Sequence, residues 1–293
     1  SPALLVRRSG ARDMVLATDE DGRCMLASTT GCELHAQLGA KGKPAACNRF
    51  PIGLTATPTG GRITTAHRCS CRSMGERPPL AVEDAVEALH DRSGRVRADS
   101  RVPGPMRSRG RRVLSFDRYE QRERKLIEAL TSGVDPRRAL DVKPFPESHQ
   151  LNWLDAAASL RRHQGSSRYE VMLDWFSMAI EAVVAAHRPR WPSRPWADCF
   201  ESATRRSPVA RSPHLVFGDW AADEFWRLGW ANQISLAQKT LEVRCLLELG
   251  YRMASVTRRR GVRPDAAAAE AVSILELARL SEEWQALVHS LPG

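Results

Sequence analysis

Two kinds of hydrophobic pattern divide this chain. From residue 115 onward apolar side chains return every three or four positions, the spacing that gathers them on one face of an α-helix. Leu241, Cys245, Leu249, Met253 and Val256 form the clearest stripe. The pattern predicts helices over 116–131, 148–164, 169–187, 196–206, 219–260 and 265–290, with breaks at Gly133, Gly165, 189–195 and Gly261. Gly229 and Gly250 are positions where the longest of these would divide. Between 14 and 72 no helical period runs, and Gly, Thr, Ser and Pro are frequent. Brief extended stretches are predicted at 13–16 and 62–66, and a turn or two of helix at 33–39. Leu80, Val82, Ala85, Val86 and Leu89 then mark a short amphipathic helix after Pro78-Pro79. The stretch 93–112 carries seven Arg among Gly94, Pro103, Gly104, Pro105 and Gly110, the composition of a linker.

The expected protein is therefore mainly α: a small irregular metal-bound cysteine-cluster module with short strands over 1–92, a linker over 93–114, and an all-α helical domain over 115–293. A segment as poor in apolar residues as 14–72 buries little surface, and such regions usually need a metal or disulfide to fold. Five of the seven cysteines lie in it, at Cys24, Cys32, Cys47, Cys69 and Cys71. No run approaches the roughly 20 apolar residues of a membrane span, and the first residues lack the apolar stretch of a secretory signal. These features suggest a cytoplasmic protein with no membrane partner, in which clustered thiols bind metal in preference to pairing as disulfides.

Charge adds one element. The net charge is +10, and residues 1–112 hold 19 Lys or Arg against 11 Asp or Glu, so most of the excess sits in the front part. A basic stretch of this kind attracts nucleic acid or another anion, but it also serves as a solubilising linker, which is the favoured reading here.

Several thiolates brought together suit zinc, copper(I) or an iron-sulfur cluster and would repel one another without a cation. The spacing matches neither the paired C-x2-C of zinc ribbons nor the compact ferredoxin run. The flanking residues say more. Asp21-Gly22-Arg23-Cys24-Met25-Leu26, Gly31-Cys32-Glu33-Leu34, and Cys47-Asn48-Arg49-Phe50-Pro51 occur in that order. This triple resembles the zinc- or iron-chelating cysteine-cluster family that includes the flagellin lysine N-methylases, over about residues 13–75. The resemblance implies an iron-sulfur cluster of 4Fe-4S type and, for the methylase branch, methyl transfer from S-adenosylmethionine to lysine side chains of a protein or peptide. It makes Cys24, Cys32 and Cys47 first-choice ligands, with Cys69 or Cys71 as the fourth.

One departure matters. The family's leading C-x-x-C-x-x-C-C group has no counterpart before Cys24, so either the chain is cut before Ser1 or Cys69 and Cys71 replace it. His35 and His67 are alternative ligands. Arg49, Arg68 and Arg72 are candidate cofactor-binding residues, placed to offset the negative charge of a thiolate cluster. The rival reading is a structural zinc module with a helical platform for protein or nucleic acid. A third makes the metal region a folding staple for a site among the helices, where Asp155, Glu181, His187, Asp223 and Glu224 are titratable.

The remaining features are expected to be structural. All eight Trp lie in the helical part, and most should anchor its core. Packing is expected for Trp191-Pro192-Ser193-Arg194-Pro195-Trp196 and for Trp226 with Trp230, although the last pair could line a pocket. Cys199 and Cys245 are expected as small buried apolar residues. No P-loop, Rossmann, G-x-S-x-G or H-E-x-x-H motif is present.

Overall fold

A computed structural model of the chain describes residues 5–7, 14–16, 26–28, 31–39, 42–43, 45–68, 70–75, 81–91, 93–147, 152–162 and 167–293. The front part begins with two small antiparallel pairs, β1 (Leu5–Arg7) with β2 (Met14–Leu16) and β3 (Ala27–Ser28) with β4 (Gly31–Cys32). Helix α1 (Glu33–Leu38) follows where a turn or two of helix is expected at 33–39, and α2 (Ala45–Arg49), not foreseen, comes after it. Then comes a longer hairpin, β5 (Ile52–Thr57) and β6 (Gly60–Thr65), with Leu54 opposite Ile63. Its turn closes at Gly60, whose φ of 134° lies in the region that favours glycine. One turn of helix, α3 (Ser70–Ser73), and the amphipathic α4 (Val82–Leu89) complete it. Leu54, Ala85 and Leu89 form a small core of their own, with Ile52, Ile63 and Ala98 against it.

The stretch expected as a linker is built into the fold. Within 93–114, β7 (Ser100–Arg101) joins β5 in parallel, giving the sheet order β6-β5-β7, and β8 (Met106–Arg109) pairs with β9 (Arg112–Leu114). Val102, Met106 and Leu114 enter the main core while the arginines between them face solvent. Composition suggested a tether because the arginines outnumber these three anchors, yet the anchors decide the path of the chain.

The body consists of α5 (Phe116–Leu130), a 3-10 turn at Pro136–Ala139, α6 (Trp153–Arg161), α7 (Arg168–Val184), α8 (Ala197–Arg206), α9 (Pro213–Trp226), α10 (Leu236–Arg259), α11 (Pro264–Ala278) and α12 (Glu282–His289). The span 219–260 is divided at Gly229, one of the two glycines where a break was expected: Leu228 takes a φ of 55°, Gly229 follows, and Ser235 opens α10 with a capping box to Gln238. Gly250 does not break α10; Phe217 and Leu275 pack where its side chain would be. The span 265–290 divides too, because the Ser281 hydroxyl caps a new helix at the Trp284 N–H.

Helix α11 is the hub, packing on α7, α8, α9 and α10. Its Ala266–Ala269 run is essentially fully buried, and side chains this small let surrounding helices approach closely. Trp175, Trp220, Trp284, Phe176, Phe217 and Phe225 fill the spaces between them. The connection holding Trp191 and Trp196 packs over the bundle: both rings meet Trp175, and Trp196 Nε1 donates to Glu270 at 3.0 Å. Arg260 secures it by donating to the carbonyls of Trp191 and Pro192. Among the described residues no helix is long and apolar enough to cross a membrane.

Candidate functional site

Of the five expected metal ligands, Cys24 and Cys69 lie outside the described residues. Cys32 ends β4 and Cys71 lies on α3, but their side chains are outside the description, as is that of His35 on α1. Cys47 sits half-buried on α2, three residues before Phe50 of the cis Phe50-Pro51 peptide. Among the described residues, which include the thiol of Cys47 and of no other cysteine in the segment, no three His, Cys, Asp or Glu side chains gather as a metal would require.

The three arginines expected beside the cysteines are each engaged. Arg49 approaches Asp99 through Nε and Nη2, both at 3.0 Å, and Asp99 also accepts the Leu54 N–H, tying the turn after Cys47 to the hairpin. The exposed Arg68 lays its guanidinium 5.4 Å from the Phe50 ring centroid while its backbone N–H donates to Glu276 Oε2 at 2.9 Å. Arg72 Nη2 donates to Asp223 Oδ2 at 2.8 Å, and its Nε donates to Thr65 Oγ1. Burial lowers the pKa of this guanidinium below its ordinary value, against the pull of Asp223.

His67 is fully buried, with Nε2 2.6 Å from Asp223 Oδ2 and its carbonyl accepting the Ser73 hydroxyl at 2.5 Å. Its Nδ1 is buried without a hydrogen-bond partner among the described residues. Nε2 is thus committed to α9, and Nδ1 is the nitrogen left for the ligand role considered from sequence. Asp223 therefore clamps the residues on both sides of the 69–71 pair, one through a histidine and one through an arginine.

The rest of the junction is also polar. Arg62 is buried between Glu123 at 2.7 Å and Glu120 at 3.0 Å and stacks 4.4 Å from the Trp226 ring, whose Nε1 donates to the Ile63 carbonyl. Burial raises the Glu123 carboxyl, against Arg62 and the Tyr119 hydroxyl that donate to it. Thr55 Oγ1 donates to the Arg227 carbonyl at 2.7 Å, and Asn232 Nδ2 donates to that of Arg101. The hairpin is thereby fixed to the carboxy-terminal end of α9 by bonds that need specific partners, in place of a broad apolar face.

A chain of buried charges continues from this junction into the body. Glu276, which accepts Arg68 N–H, receives Arg227 Nη2 at 3.2 Å; Arg227 also faces Glu224, which takes Lys239 Nζ at 2.8 Å and Arg279 Nη1. Lys239 reaches Glu242 at 2.8 Å, and Glu242 accepts Trp284 Nε1 at 3.2 Å. Burial alone would lift the Glu224 carboxyl; Arg279, Lys239 and Arg227 outweigh it and hold it well below the usual carboxylate range. Of the charged side chains in this network, sequence reasoning singles out only Glu224. A signal existed for Lys239 and Glu242: three apart, they flank the apolar stripe of α10 that begins at Leu241.

Beside this chain lies a cavity of about 210 Å³. Glu224, Lys239, Glu242 and Arg279 form its polar wall, and Trp230, Ile234, Trp284 and Val288 its apolar one. Trp230 thus lines a pocket, while Trp226 serves the hairpin. The other titratable candidates stand apart: Asp155 is exposed, and Glu181 pairs with Arg161 at 2.9 Å and His187 at 3.3 Å. Comparison of the chain with protein-family models, curated proteins and solved structures finds no match.

Proposed function

We propose that this chain is an iron-sulfur protein in which the segment bearing Cys24, Cys32, Cys47, Cys69 and Cys71 holds the cluster and the helical body presents a protein or peptide substrate to it. The carrying observation is the Asp223 clamp. A buried histidine and an arginine, both within five residues of Cys69, are committed to one carboxylate of the body. So specific an anchor is wasted on a free tail, and it would serve to support thiols of the adjoining residues.

The donor chemistry fits such a group. Five thiols exceed the four that a cluster needs, and Arg49, Arg68 and Arg72 bring positive charge within three residues of a cysteine along the sequence. When bound, a cluster would supply electron transfer or, if one iron lacked a protein ligand, a place for the amino and carboxylate groups of S-adenosylmethionine. The residues of the chain do the positioning: Asp99 holds Arg49 at the exit of α2, and Asp223 holds His67 and Arg72. On the resemblance to flagellin lysine N-methylases, the reaction is methyl transfer to a lysine side chain or a redox step on the same kind of substrate.

Purification without oxygen tests the proposal. A brown protein with bound iron and broad absorption near ~400 nm, lost in Cys47→Ser, supports it; a colourless protein without iron sinks it.

A second reading is favoured by one observation. Arg107, Arg109, Arg111 and Arg112 of the β8-β9 hairpin and Arg118 and Arg122 of α5 are all exposed. A structural zinc module beside a polyanion-binding face would use them. Zinc without colour, together with nucleic-acid affinity that falls steeply with salt, would select this reading.

A further inference from the structure

Residues that line the cavity beside α9 carry polar atoms with no hydrogen-bond partner among the described residues. Trp230 is 7% exposed and lines the space, yet its buried Nε1–H has no acceptor there. Glu224 is 2% exposed, and while its Oε2 takes Lys239 and Arg279, its buried Oε1 accepts no hydrogen bond; Arg227 Nη1 stands 3.4 Å away without the geometry for one. Arg279 Nε is a further buried donor without an acceptor. A buried polar group left dry is costly, so a fold that keeps several around one space is built for something that fills it.

The chemistry of the occupant follows from what is missing. Trp230 Nε1 and Arg279 Nε require an acceptor, and Glu224 Oε1 requires a donor. The charges of the wall balance: Arg227, Lys239 and Arg279 stand against Glu224, Glu242 and the Glu276 that shares Arg227. A ligand with net charge would bring in an uncompensated desolvation cost, whereas one with a paired cation and anion would not. At about 210 Å³ the space exceeds the roughly 150 Å³ that admits benzene and falls short of the roughly 300 Å³ at which drug-sized sites begin. It suits on the order of ten non-hydrogen atoms, and S-adenosylmethionine is far too large for it.

We infer that this cavity binds a free α-amino acid with an apolar side chain. Its carboxylate would answer Trp230 and Arg279, its ammonium Glu224, and its side chain would lie along Trp284, Ile234 and Val288. Exposed Gln233, Leu280, Gln285 and His289 line the same space and supply its entrance. The site does not rest on the proposed cluster; Arg227 and Glu276 link it to the backbone of Arg68.

Calorimetric titration of the full chain with L-leucine and L-phenylalanine tests this, with N-acetyl-L-leucine and L-leucinamide as controls that each lack one charge. The free amino acid should bind, and each control at least about tenfold more weakly, the effect of one lost buried hydrogen bond. Trp230→Phe keeps the ring and removes the donor, and should weaken L-leucine by a similar factor. Leu280→Trp, at a half-exposed rim position, should block entry without disturbing the fold, which circular dichroism checks. Absence of binding by either amino acid at millimolar concentration overturns the inference. Equal binding of the blocked forms, or unchanged affinity in both folded variants, does so as well.

Discussion

Asp223 and Glu224 are neighbours on α9 that serve different parts of the molecule: Asp223 Oδ2 lies 2.6 Å from His67 Nε2 and 2.8 Å from Arg72 Nη2, whereas Glu224 Oε2 takes Lys239 at 2.8 Å together with Arg279. One residue step thus separates the anchor of the cysteine segment from the charged centre of the body, and replacements at the two positions should behave differently.

Asp223→Asn removes the charge that holds His67 and Arg72 while keeping the shape. Loss of about 1–3 kcal/mol is expected, confined to the docked segment. Hydrogen exchange should accelerate over 67–75 and stay unchanged over α10. Uniform acceleration throughout the chain would contradict a local anchor.

Glu224→Gln leaves Lys239, Arg227 and Arg279 without their shared counter-charge and should cost about 3 kcal/mol of global stability at pH 7. The pH dependence has a definite sign. A folded carboxyl held below the unfolded value of about 4.3 contributes fully above about pH 5, and that contribution is lost as pH falls through the lower folded value. The stability gap between wild type and variant, measured by urea unfolding, should therefore narrow between pH 5 and pH 3. A gap that widens on acidification would refute the assignment.

Gly218 marks a close crossing of α9 and α5, where an added Cβ would collide with the Leu130 carbonyl oxygen. Backbone cannot give way as a side chain can, so Gly218→Ala should destabilise by about 2–3 kcal/mol despite the better helix propensity of Ala. Thermal unfolding measures this. A melting point at or above that of the wild type would show that the helices separate freely.

The two cysteines of the helical part should differ in reactivity. Cys245 is fully buried, and burial pushes its thiol up to about 12, although the Phe145 N–H donates to the sulfur at 3.2 Å. Cys199 is exposed on α8, contrary to the expectation that both are buried. Maleimide labelling of the folded protein near pH 7.5, read by peptide mass spectrometry, should modify Cys199 and spare Cys245 until denaturant is added.

Periodicity made the helical body legible from the chain alone because a stripe such as Leu241, Cys245 and Leu249 has few other ways to be buried. Gly229 signalled the break between α9 and α10, but Gly250 gave the same signal inside α10, where it serves the close packing of Phe217 and Leu275 instead. Periodicity failed over 93–114, where three spaced anchors outweigh seven arginines in fixing the backbone. The charge network was less legible for a physical reason. Lys239 or Glu276 looks like ordinary helix surface until tertiary packing removes its water, and only then does its partner matter. The cysteine segment was read from local motifs, and of its thiols only that of Cys47 is described.

The parallel pairing of β5 with β7 bears on how this molecule can be dissected. Thr55 sits opposite Ser100, so the polypeptide leaves the sheet after β6, runs through α3 and α4, and returns to the same sheet before entering the body. A truncation at residue 92 would split a hydrogen-bonded ladder between the two fragments and expose a raw strand edge on the larger remnant of that sheet. The middle of the front portion is folded in and fastened through its hairpin and through β7, and biochemical work on its thiols calls for the intact polypeptide.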